Sequence, residues 1–233
     1  STRVRSSAAS DVYKRQASDN INFSETNTLG GAKMAYGTTW TMGALVGSTS
    51  GIPLKFTLSS NHIANDCRGY KDFLPGVYNL GDVLKENGYK NYFMLGSDAA
   101  FAGRDVYFSK HGDYEILDYN YAKDNGWIPK NYYTWWGYED SKLFDFAKNE
   151  LTNISKTDEP FNFTLLTADT HFTDGYVDKS CDTPYKDHYL NSYHCSDSQL
   201  GAFIDWIQKQ DFYKDTVVVI CLLYTSPSPR DCS

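Results

Sequence analysis

The chain has 233 residues, 41% of them hydrophobic and 22% charged, with a formal net charge of −7. This suits one globular domain with room for a sizeable core. The acidic balance argues against a nucleic-acid partner, which asks for a basic face, and no apolar run approaches the roughly 18 residues of a membrane span.

The two ends read differently from the middle. Residues 1–16, STRVRSSAASDVYKRQ, carry four basic residues against one acidic and no helical or strand period. Residues 221–233, CLLYTSPSPRDCS, follow the apolar run TVVVI without a turn. Both resemble linker sequence and are set apart from the fold; natural disordered tails are the alternative. The domain is expected over 17–220.

Within it, Trp40–Ser48 (WTMGALVGS) is a short apolar helix rich in small residues, stopped at Gly51-Ile52-Pro53. Asn79–Lys85 reads as a helix closed by Asn87-Gly88, and Asn91–Leu95 (NYFML) as a buried strand. Asp140–Leu151 places Leu143, Phe144, Ala147 and Leu151 on one helical face. Phe161–Ala168 (FNFTLLTA) is a strand. Ser198–Gln210 has helical spacing, with Ser196 or Asp197 as its cap. Thr216–Ile220 (TVVVI) is β-branched and fully apolar, as central parallel strands are. The alternation predicts a layered α/β fold with a mostly parallel sheet, whose functional residues sit past the strand C-termini.

Three stretches carry side chains suited to chemistry. Gly37-Thr38-Thr39-Trp40-Thr41-Met42 brings hydroxyls to a helix N-terminus, where unpaired N–H groups and the dipole favour an alkoxide or a phosphoryl group; a plain N-cap is the alternative. Gly96–Asp105 follows the NYFML strand and places Arg104 where its guanidinium forks onto an anion or pairs with Asp105. Thr167–Gly175 follows the FNFTLL strand and places His171 at the sheet edge, as a metal ligand, a phosphate donor or a hydrogen-bonded structural residue. Asp169 and Asp174 are ligands or turn residues. His62, His188 and His194 read as solvated loop residues, and His111 as structural. Cys181 and Cys195 bracket a polar loop and form either a disulfide or a reduced buried pair. At 16%, the aromatic content fits either sugar-contacting surfaces or a Tyr-rich core.

The wording of these stretches resembles a known family. Gly37–Leu54, Leu80–Gly112, Trp135–Ala147, Phe163–Tyr176 and Tyr213–Ile220 together resemble the periplasmic phosphoglycerol transferases and, more distantly, the lipoteichoic acid synthases of the alkaline-phosphatase/sulfatase superfamily. The resemblance implies an α/β/α core, a nucleophile at Thr41 (Thr39 the runner-up), and phosphate or glycerol ligands at Arg104 and His171, with Phe101 nearby. It implies a divalent metal, Mn²⁺ or Mg²⁺, with Zn²⁺ by analogy, bound in part by Thr41. The metal's acidic ligand on the first strand and its Asp-His pair after TVVVI are expected to lie outside this chain, leaving an incomplete site and an inactive fragment. A phosphatidylglycerol-like donor, a glycan acceptor, a periplasmic location and membrane attachment through other segments are implied too. Ala102 stands where the lipoteichoic acid synthases carry a glycerol-stacking Trp. A sulfatase-like phosphodiester hydrolase or a non-catalytic carbohydrate-binding domain are the rival readings. The first lacks support in one respect: Thr41-Met42-Gly43-Ala44-Leu45 does not offer the C/S-x-P-x-R pattern of true sulfatases.

Overall fold

The run Asn91–Leu95 is apolar on both faces because it becomes the middle of a sheet. In a computed structural model that describes residues 37–38, 40–54 and 71–221, Lys90–Leu95 forms β1. It pairs in parallel with Glu115–Leu117 (β2) on one side and Phe161–Leu166 (β3) on the other. The two-residue period of the strand sorts its side chains. Phe93 and Leu95 enter one apolar cluster, and Tyr92 and Met94 enter a second on the opposite face.

Helices cover both faces. The first cluster is closed by α1 (Thr41–Ser50) and α3 (Arg104–Lys110), through Met42, Leu45 and Val46 and through Tyr107 and Phe108. The second is closed by α5 (Asp140–Ile154) and α6 (His188–Ile207), through Leu143, Phe144, Ala147 and Leu151 and through Phe203 and Ile207. Two short helices, α2 (Leu80–Glu86) and α4 (Tyr119–Asp124), flank β1 and β2. The result is the predicted α/β/α layering around a parallel sheet. Phe93 stacks on Phe108 with ring centroids 4.0 Å apart. Each such large buried side chain stabilises the core by about 1.5–3 kcal/mol.

Local signals place the elements. Asn79 and Asp82 form a reciprocal cap on α2, each side chain accepting the other's main-chain N–H at 3.0 Å, and Gly88 turns left-handed (φ 84°) just beyond the helix. Asp187 caps α6 by accepting from Leu190 N.

Two expectations are corrected. First, α6 begins at His188, ten residues before the predicted start, because Asp187 caps it earlier than Ser196 or Asp197. His188 and His194 therefore lie on a helix, with His194 Nε2 3.2 Å from Asp182. Second, 216–220 forms no strand, and Val217 and Val219 are 87% and 81% exposed. A β-branched run supplies half a ladder, and no neighbour among the described residues supplies the other half. Cys195 on α6 is bonded to Cys181 in the preceding loop. Residues 1–16, Thr39 and His62 lie outside the described residues, as does all of the C-terminal tail except Cys221, which is exposed.

Candidate active site

The site is built where β1 and β3 end, at the C-terminal edge of the sheet. Past β1, the loop from Gly96 to Gly103 is held from three sides. Asp118 accepts from Ala99 N at 2.9 Å while its other oxygen caps α4 at Tyr121 N. Tyr138 N donates to Gly96 O at 2.9 Å. Arg104, 6% exposed, donates from Nη2 to Asp98 O at 2.7 Å and to Ser97 Oγ at 3.4 Å. The guanidinium carbon lies 5.3 Å from the centre of the Phe101 ring, a cation–π distance. Arg104 thus supports its own loop, with Asp98 and Ser97 as the partners that hold it. Ala102 is buried with left-handed backbone and brings no ring to the edge.

Past β3, the loop from Thr167 to Tyr176 is held as tightly. His171 N donates to Ala168 O, and Tyr176 N and Ser192 Oγ donate to Asp169 O. A Cβ on Gly175 would sit 2.2 Å from Ser192 Oγ, so only glycine allows this approach. Asp174, at φ 67°, is a turn residue. His171 is half-buried, and its Nδ1 faces Phe172 O at 2.5 Å. A carbonyl only accepts, so Nδ1 carries a hydrogen and Nε2 is the nitrogen left for a ligand.

Between the two loops runs the Thr134–Gly137 turn. The indole of Trp136 lies 6.0 Å from Phe101 and 4.9 Å from His171. Arg104, Phe101, Trp136 and His171 therefore form one continuous row along the sheet edge. The row joins the two predicted strand-end residues through a Trp to which the sequence reading assigned no role. Its signal was present in Trp135-Trp136-Gly137, a bulky pair beside a glycine just ahead of α5.

Thr41 is the first residue of α1, half-buried, after Trp40 in extended conformation. Its small-residue stripe explains the placement. A Cβ on Gly43 would lie 2.4 Å from Gly37 O and 2.6 Å from Trp40 Nε1, and one on Gly47 would lie 2.7 Å from Thr38 Cγ2. The incoming chain thus lies back along the helix on these two glycines. The far end of α1 is tied to α3: Thr49 Oγ1 and Tyr107 Oη are 2.7 Å apart, and Asn79 Nδ2 donates to Tyr107 Oη at 3.1 Å. One buried tyrosine therefore links the helix of Thr41 to the helix that Arg104 opens.

Beneath the His171 loop is a buried carboxyl pair. Asp140 accepts from Ala168 N and Asp169 N, each at 2.9 Å, and Asp169 Oδ2 accepts from Asp140 N at 3.0 Å. Burial, partly offset by those two N–H groups, pushes Asp140 up to about 6. Burial, reinforced by the charge of Asp140, pushes Asp169 up to about 8. The pair holds one proton at neutral pH. Asp169 is thus a clamp for α5 and the loop, since its Oδ2 is given to the helix N-terminus.

The described residues contain no group of three or more His, Cys, Asp or Glu side chains able to hold a metal ion, so they do not by themselves make the expected metal centre. No helix among them is long and apolar enough to cross a membrane. A surface cleft of about 590 Å³ lies elsewhere, between Phe73, Tyr78 and Lys85, and contains none of the row.

The chain thus presents a parallel sheet layered between helices, an Arg–aromatic–His row past the ends of β1 and β3, and Thr41 at the start of α1. A sequence profile of the sulfatase family matches residues 33–221, and the chain belongs to that family. Among its relatives is Phosphoglycerol transferase I of Xanthomonas axonopodis pv. citri (strain 306), 35% identical over 190 residues, covering 79% of this chain and 26% of that protein. The protein of the same name from Escherichia coli (strain 55989 / EAEC) is 31% identical over 208 residues, 87% of this chain and 26% of that one. The chain spans about a quarter of the length of these curated relatives. A solved protein of the alkaline phosphatase superfamily from Vibrio parahaemolyticus shares the fold with TM-score 0.57 and 25% identity, over 76% of this chain and 41% of that one. The lipoteichoic acid synthase LtaP from Listeria monocytogenes does so with TM-score 0.57 and 18% identity, over 75% and 40%.

Proposed function

We propose that this chain is part of a phosphoglycerol transferase that moves phosphoglycerol from a phosphatidylglycerol-like lipid to a glycan at the periplasmic face of a membrane. The observation that supports the reading is the row Arg104–Phe101–Trp136–His171, which brings the two side chains proposed to meet phosphate to one edge of the sheet. Thr41 attacks phosphorus, its hydroxyl proton leaving to solvent. The bond from phosphorus to the lipid alcohol breaks, and the departing diacylglycerol takes up a proton. A sugar hydroxyl then displaces Thr41 by the reverse exchange and carries the phosphoglycerol away. Arg104 draws charge from a phosphoryl oxygen. His171 donates from Nε2 to another only as the imidazolium, since Nδ1–H is directed at Phe172 O.

A divalent cation, Mn²⁺ or Mg²⁺ or else Zn²⁺, belongs to this proposal, with Thr41 as the ligand proposed among the described residues. A lone hydroxyl does not hold a hard cation that wants several oxygen ligands, so the chain by itself is expected to be inactive. The test compares the chain with a chimera in which residues 37–220 replace the matching stretch of a full-length relative. Phosphatidylglycerol turnover is measured with added Mn²⁺. The chimera is expected to turn over and its Thr41→Ala variant to lose essentially all activity. Turnover by the chain alone sinks the incomplete site, and an active Thr41→Ala chimera sinks the nucleophile.

A further inference from the structure

The segment from Thr134 to Asp140 is a crosspiece between the two strand-end loops. It holds both main-chain groups of Ala168, just past β3: Ala168 N donates to Asp140 Oδ1 at 2.9 Å, and Ala168 O accepts from Trp135 Nε1 at 3.0 Å. It also holds Gly96 O, just past β1, through Tyr138 N at 2.9 Å. Gly137, at φ 153°, lies so close to Gly96 that a Cβ would sit 2.1 Å from Gly96 O. The turn at its head closes on itself, with Thr134 N donating to Gly137 O at 2.8 Å and Gly137 N to Thr134 O at 3.0 Å.

One residue of this turn is out of character. Trp135 adopts φ 59°, a left-handed conformation that glycine takes readily and a bulky residue rarely. Such a conformation persists only where the surroundings over-determine it. The two hydrogen bonds that close the turn are main-chain bonds and ask nothing of the side chain at 135, so the indole itself accounts for a tryptophan there. Its single polar atom, Nε1, is directed at Ala168 O. That oxygen accepts a second time, from the main-chain N–H of His171 at 2.9 Å. Trp135 and His171 are therefore joined through one carbonyl oxygen. The imidazole of His171 is fixed in turn by Phe172 O at Nδ1 and by the ring of Trp136 at 4.9 Å, which leaves Nε2 for a ligand. Arg104 needs no such brace, because Asp98 O and Ser97 Oγ already hold it.

We infer that Trp135 is a positioning residue for His171: its indole N–H, through Ala168 O, sets where the β3 loop stands and so where Nε2 of His171 is aimed. The inference rests on the transferase reading for the phosphoryl group that Nε2 would meet. Nuclear magnetic resonance of the full chain tests it against two variants. Trp135→Phe keeps a ring and loses the N–H; Trp135→Gly suits the left-handed backbone and loses the ring. The imidazole protons of His171 sense the Trp136 ring and are expected to shift in both variants, together with the amides of residues 168–172, while those of α1 and α3 stay in place. Inorganic phosphate is then titrated against the His171 signal. Each variant is expected to bind it about tenfold more weakly than the parent chain, the effect of one misdirected hydrogen bond to a charged group. An unmoved His171 signal in either variant overturns the inference. A phosphate affinity within about twofold of the parent's also overturns it, because the indole would then only brace the turn. Shifts spread evenly over α1 and α3 overturn it as well, being the mark of general loosening. A His171 signal that moves in both variants, with no phosphate binding by the parent chain, supports the positioning role and counts instead against the transferase reading.

Discussion

The carboxyl pair beneath the His171 loop makes stability depend on pH in a direction opposite to that of most aspartates. In the unfolded chain both side chains ionise near 3.9. In the folded chain Asp140 follows at about 6 and Asp169 only at about 8. A raised folded pKa means that the native state holds protons the unfolded state has lost, so the stabilisation is complete below pH 4 and fades as pH rises through 8. Between pH 6 and 8 the difference is about one proton, worth about 1.4 kcal/mol per pH unit. That amounts to roughly 3 kcal/mol over the window, a large part of a typical folding free energy. Asp169→Asn tests the assignment because an amide keeps an oxygen for Asp140 N–H and cannot ionise. Urea unfolding followed by circular dichroism at pH 6, 7 and 8 should show the parent chain losing stability across the series and Asp169→Asn nearly level. Asp169→Ala should lose about 1–3 kcal/mol even at pH 6, because Asp140 N is left buried without an acceptor. If Asp169→Asn falls with pH as steeply as the parent chain, the proton is not on Asp169 and the reasoning fails.

Other consequences follow from single contacts. Gly43→Val should destabilise by about 1–3 kcal/mol in thermal unfolding, since the new side chain meets Gly37 O and Trp40, and in the chimera it should lower turnover by displacing Thr41. Tyr107→Phe removes the hydroxyl shared by Thr49 and Asn79; a loss of about 1–3 kcal/mol is expected by urea denaturation, and an unchanged midpoint would show that α1 and α3 are not coupled there. Reducing the Cys181–Cys195 bond, whose ends are 14 residues apart, should lower stability by about 3 kcal/mol on a chain-entropy account, read as a shift of the melting temperature under dithiothreitol.

Elements whose partners are close in sequence were legible, and elements whose partners are distant were not. The α2 cap, the α5 face and the β1 run each declare themselves in a few residues, because a cap, a 3.6-residue period and a two-sided apolar strand are local facts. The start of α6 was misplaced because Asp187, Ser196 and Asp197 all satisfy the same capping rule, and only packing selects among them. The run 216–220 has every local mark of a strand. A strand is a relation between two chains of hydrogen bonds, and propensity says nothing of whether the second is at hand.

The site divides along the same line, and the division explains why Trp136 was passed over. Arg104 and His171 were singled out because each follows a rule about one element, a cation after one strand and an imidazole after another, whereas the hydroxyls ahead of α1 were narrowed to Thr41 only by the family resemblance. What those rules omit is how the loops are fastened together. Gly96 and Gly137 are separated by 41 positions yet meet at main-chain contact distance, Asp140 and Asp169 each accept the other's main-chain N–H on a carboxylate across 29, and Trp135 reaches Ala168 across 33. Each pair, taken singly, is an ordinary glycine, aspartate or tryptophan. Their meaning lies in the pairing, which aligns Arg104 and His171 through Trp136. The chemistry-bearing groups of this sheet edge can therefore be read one at a time, whereas their relative placement depends on side chains that carry no chemistry of their own.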